Sequence, residues 1–198
     1  MKYLALGTLR QWHWISSALC LAGMLLFAVT GITLNHAGVI ESRPVVSSTD
    51  TQLPDELRLL LPEIAEHHTL PLPIQRWLRA ELGARFNPEH ADWSDDELYL
   101  GLPRPGGDAW LTLDLLTGAV FHESTSRGWI AYANDLHKGR HTGTAWSCFI
   151  DLFAGICVVF SLTGLVLLQR QAHSRPSTWP ITGLGLLIPV LIALLLIH

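Results

Sequence analysis

Ten histidines occur among 198 residues, and their placement says more than their number. His13 and His36 bracket the apolar run Ile15–Leu34, twenty residues without a formal charge. His137 and His141 stand four apart before a second apolar run, Trp146–Leu168; His173 follows it, and His198 closes the sequence. A neutral imidazole offers one lone pair to a metal, which makes histidine a ligand for haem iron, copper and zinc. Three chemistries suit this set. Interfacial histidines are tolerated where an apolar body meets a wet edge, as with Trp12 and Trp14 beside His13. Two imidazoles from facing helices hold a b-type haem. The outer histidines also suit a mononuclear copper, zinc or iron site. His67, His68, His90 and His122 fall in the polar part of the chain and receive no role.

The elements that position them are membrane spans. Twenty residues at ~1.5 Å each cross a ~30 Å hydrocarbon core, so Ile15–Leu34, Trp146–Leu168 and Trp179–Ile197 all qualify. His13 and His36 are 23 positions apart. That is roughly 34 Å along a helix and about 140° in azimuth, one imidazole at each membrane face. Lys2 and Arg10 precede the first span, and Arg170 and Arg175 lie between the second and third. The positive-inside rule makes these flanks cytoplasmic, with the N-terminus inside as an uncleaved anchor and residues 37–145 outside. That outer stretch carries sixteen acidic against nine basic side chains, which excludes nucleic acid as a partner. On this topology His36, His137, His141 and His198 lie at the outer face, and His13 and His173 at the inner. His36 and His137 end different helices at one depth, the arrangement an axial pair needs.

Between the first two spans the pattern is that of a small α+β module. AGVIESRPVVSSTDTQLP reads as a linker, Pro54–His67 as an amphipathic helix and Ile74–Leu82 as a second one. Leu98, Leu100 and Leu102, then Leu111, Leu113 and Leu115, alternate with period two across the turn PRPGG, and Thr117-Gly118 supplies another turn. Cys20, Cys148 and Cys157 all fall within spans, so they read as packing residues and not as a disulfide framework. Asp151, the one carboxylate in a span, has Arg140 or His141 as prospective partners. No glycine fingerprint for a nicotinamide or flavin is present. Ala28, Gly31, Ala154, Gly155 and Gly164 are small enough to let helices approach or to admit a flat macrocycle.

The turn LDLLTGAVF resembles the closing strand of a PepSY-type module. WHW at 12–14, TGITLNH at 30–36, DLHKGRHTG at 135–143 and SLTGLVLL at 161–168 resemble the PepSY-associated transmembrane family, in a compact three-span branch. Larger relatives add at least one further span. The resemblance implies a haem-dependent reductase of ferric siderophores in the bacterial inner membrane, passing electrons outward to iron. It favours His137 as the ligand paired with His36, with His141 as alternate or as an orienting neighbour; His13 and His173, at the inner face, are the candidate site of a second haem b.

The expected boundaries are 10–36 for the first span, 37–135 for the periplasmic module, and 136–168 for a lead-in and second span. Residues 169–178 form a cytoplasmic link and 179–198 the third span. Three helices enclose a macrocycle poorly, so a homodimer or partner subunit is expected to complete the bundle. The expected partners are the lipid bilayer, a ferric chelate or siderophore, and an electron donor that the sequence does not identify. The alternative is a non-redox membrane regulator whose module docks or restrains another periplasmic protein.

Overall fold

The computed structural model describes residues 7–40, 43–83 and 86–197, so Lys2 and His198 lie outside the described residues. It divides into two compact units, residues 27–147 and residues 1–26 with 148–198.

The unit 27–147 is built on a five-stranded antiparallel sheet of β1 (Val45–Gln52), β2 (Ala91–Trp93), β3 (Glu97–Gly101), β4 (Gly107–Asp114) and β5 (Ala119–Ser126), in spatial order β1-β5-β4-β3-β2. Period-two alternation sends Leu98, Leu100, Leu111, Leu113 and Val120 to one face. There they meet Leu61 and Ile64 of α3 (Leu61–His67) and Ile74 and Leu78 of α4 (Leu72–Leu82), all of them buried. Each aliphatic side chain fully withdrawn from water contributes ~1.5–3 kcal/mol, which makes this the stabilising core of the unit.

Two expectations are corrected here. Residues 45–52, read as linker, are strand β1, paired over its whole length with β5 from Val45↔Ser126 to Gln52↔Ala119. The single helix expected over Pro54–His67 is two, α2 (Asp55–Arg58) and α3. Pro62 explains the break: it donates no N–H, and its ring would collide with the Arg58 carbonyl of a continuous helix. The turn in LDLLTGAVF closes as its composition requires. The Asp114 carboxylate accepts the N–H groups of Leu116 at 2.9 Å and Thr117 at 2.7 Å. Gly118 then takes φ +75°, where a β-carbon would also meet Arg58 at 2.8 Å.

The same unit contains the end of α1 (Leu9–Asn35) and a short helix, α5 (Gly128–Lys138), which is separate from the next one. Gly139, His141 and Gly143 all take positive φ and break the chain between them. The helix of α6 therefore does not begin as early as His137, and His137 and His141 share no helical face.

The other unit holds α1 to residue 26, α6 (Thr144–Gln171) from residue 148, and α7 (Thr178–Leu196). All three helices are long and apolar enough to cross a membrane. Phe153 of α6 packs on Gly23 of α1, where a β-carbon would collide with its ring. Instead of ending near Leu168, α6 runs on to Gln171 and through a 3-10 turn at Ala172–Ser174, which shortens the expected link.

Candidate functional site

Two histidines are held in seats of one design, one in each unit. In the first, His137 of α5 meets α1: its Nδ1 lies 2.7 Å from Thr30 Oγ1, its ring tilts against Phe27 at 5.0 Å, and Gly31 leaves the space beside it. In the second, His13 of α1 meets α6: its Nδ1 lies 3.0 Å from Thr163 Oγ1, its ring stacks on Phe160 at 4.9 Å, and Gly164 gives it room. Each seat is the pattern Phe-x-x-Thr-Gly on a single helix: Phe27, Thr30 and Gly31 in α1, then Phe160, Thr163 and Gly164 in α6. Helical spacing puts Phe and Thr, three apart, on one face, and the glycine beside them removes the side chain that would exclude an imidazole.

The seat also fixes the tautomer. Each threonine hydroxyl has one proton and directs it to the carbonyl one turn back, Phe27 for Thr30 and Val159 or Phe160 for Thr163. Its lone pairs are left to accept Nδ1–H from the histidine. In a neutral imidazole so held, Nε2 is the nitrogen that keeps the lone pair, the form that binds a metal.

The His137 seat is braced on both sides. Thr33 donates to the buried Asn134 Oδ1 at 2.7 Å, so with Thr30–His137 the paired positions rise on α1 as they fall on α5, and the two helices run antiparallel here. Asp135, 3 % exposed, accepts the Gly106 N–H at 2.9 Å and pairs with Arg127 at 3.3 Å and Lys138 at 3.6 Å, which binds α5 to the β3–β4 turn. Gly106 sits so close that a β-carbon would come within 2.7 Å of the Tyr132 backbone. Trp146 donates its indole N–H to the Leu136 carbonyl at 2.9 Å.

The other predicted ligands lie elsewhere. His36 is exposed and turns back on its own helix, Nδ1–H to the Ile32 carbonyl at 2.9 Å, which again leaves Nε2 with the lone pair. It is six residues beyond Thr30, roughly 9 Å further along the helix and about 120° around it. His36 and His137 therefore do not stand at one depth on one face. His141 is in the exposed left-handed turn, and its Nε2 accepts the Arg140 Nε–H at 3.1 Å, so that lone pair is engaged. This contact also gives Arg140 a partner other than the Asp151 considered from sequence. His173 is exposed in the turn after α6, ten residues past Thr163 and roughly 15 Å further along, so it is not brought to His13.

A haem iron is therefore matched by donor chemistry one imidazole at a time. The space at Gly31 and Gly164, expected to admit a macrocycle, receives the histidine rings themselves. Among the described residues no group of three or more His, Cys, Asp or Glu side chains converges as a metal cluster.

The partners Thr30, Thr163, Phe27, Phe160, Asn134 and Asp135 were not singled out from sequence. Their signal was the repeated Phe-x-x-Thr-Gly, once in each of two apolar runs. No curated protein matches the chain, and no solved structure does. The PepSY_TM-like family (PepSY_TM_like_2), by contrast, matches residues 4–198, nearly the whole chain including both seats, and the protein belongs to that family.

Proposed function

We propose that this protein is a b-type haem electron-transfer protein of the bacterial inner membrane, reducing ferric siderophores or other ferric chelates at the outer face. The single observation that carries the reading is the repeated seat. Two imidazoles on different helices are each clamped at Nδ1 by a threonine and left with a bare Nε2, a preparation that packing alone does not require. His137 and His36 serve the outer face and His13 the inner, with the module outside and the N-terminus inside. Because His137 docks on α1 at Thr30 and His36 lies on another face of that helix, either imidazole would hold a haem iron together with one from a second copy or a partner subunit. Bound haem would supply one-electron chemistry between the two faces. The chain's own part is to fix the tautomer, hold the ring planes against Phe27 and Phe160, and keep Nε2 directed.

The test is colour and stoichiometry. Purified from cells supplied with haem, the protein should show a Soret band and a pyridine haemochrome. His137→Ala should empty the outer site and His13→Ala the inner one, if both are filled, each lowering haem per chain separately. Absence of any Soret band overturns the reading in favour of a non-redox regulator. The face of the sheet away from the core, where Tyr99, Trp110 and Phe121 form a row of stacked and tilted rings, would then be its docking surface.

A further inference from the structure

Within the unit 27–147, a cavity of about 410 Å³ opens between the residues that end and follow α1 and the face of α5. Its lining joins two chemistries. Leu34, Ile40 and the exposed indole of Trp129 give it an apolar wall. Arg43, Arg127, Lys138 and Arg140 bring four cations to it. Among the described residues one carboxylate lines it, Asp135, and that group is already engaged by the Gly106 N–H, Arg127 and Lys138. Arg140 gives its Nε–H to the His141 imidazole nitrogen, and among the described residues no carboxylate pairs with it. A pocket with surplus positive charge and one apolar side matches a ligand that is anionic at one end and oily at the other.

We infer that this pocket binds a phosphate-class oxyanion, carried on the headgroup of an anionic phospholipid or free in solution. Arginine forks pair with phosphate oxygens in bidentate fashion, and the Leu34–Ile40–Trp129 wall accepts the glycerol and first methylenes of a lipid. Trp129, 76 % exposed, is the residue type that membrane interfaces select. The inference is independent of the histidine seats and survives if no haem is found.

The experiment is native mass spectrometry of the full chain released from detergent, titrated with phosphatidylglycerol, with phosphatidylcholine of the same acyl chains, and with inorganic phosphate. Arg43→Ala/Arg140→Ala is the test variant. Both side chains are exposed, and neither takes part in the Asp135 brace, so a thermal melt should match the parent. Phosphatidylglycerol should bind more tightly than phosphatidylcholine, and the double variant should lose roughly 25-fold, about fivefold for each cation at a membrane surface. If inorganic phosphate competes at comparable concentration, the source is free oxyanion; if only the anionic lipid binds, the source is the headgroup. Equal binding of the two lipids with no effect of phosphate, or a double variant that binds like the parent, overturns the inference.

Discussion

Replacing Thr30 by valine tests the His137 seat most directly, because it keeps the shape of the side chain and deletes the acceptor of the Nδ1–H. Thr30 is 8 % exposed and its Oγ1 lies 2.7 Å from His137 Nδ1, so the variant strands an N–H in a half-buried site. Stranding a buried donor costs ~1–3 kcal/mol, and the partial exposure of the ring places this case at the lower end, about 1–2 kcal/mol. That cost multiplies the opening equilibrium of α5 by roughly 5–30. Native-state hydrogen exchange over residues 130–138 reads it as lost protection. Thr30→Val should be combined with His137→Ala in a double-mutant cycle, which isolates the pairwise coupling. If Thr30→Val costs as much without His137 as with it, or moves protection less than twofold, the clamp does not exist and the tautomer argument fails with it.

Four further outcomes follow from other contacts of the unit 27–147. Asp135→Ala should destabilise the unit by ~3 kcal/mol, the lower end for breaking a buried pair, because Arg127 and Lys138 are partly exposed and can rehydrate; Asp135→Asn, which keeps an acceptor for Gly106, should cost less in a denaturant titration. Gly106→Ala combines φ +70° with a clash on the Tyr132 backbone, so it should cost more than ~1 kcal/mol and loosen α5 in limited proteolysis. Burial, and then the nearby Arg104 charge, hold the His122 imidazole below its ordinary 6.5. Above that pH it is neutral folded and unfolded alike; as pH falls the unfolded chain takes the proton first, so stability drops, and His122→Asn should flatten that limb of a melting-temperature profile. The Asp114 carboxyl is held below its usual range, first by the Thr117 N–H, so its contribution persists above the unfolded value and is lost only as pH falls further, toward the folded one.

Some of this architecture was decided by the sequence itself. The three spans follow from length and hydropathy, since a helix satisfies its own backbone without any partner. The strands 97–101 and 107–114 and the helix 72–82 follow from local periodicity, and the Asp114 turn from residues within five positions of one another. Other parts had no local signature. β1 is polar on both faces, and only its pairing with β5 makes it a strand. The break at Gly139–Gly143 separates His137 from His141, although their four-residue spacing fits a common helix. Above all, His137 meets Thr30, not His36. Its partner is set by where α5 crosses α1, a contact across 107 positions whose register depends on the Thr33–Asn134 pair beside it and on the Asp135 brace to Gly106. Spacing along a chain fixes what one helix presents; which residue receives it is fixed by the packing of elements far apart in sequence.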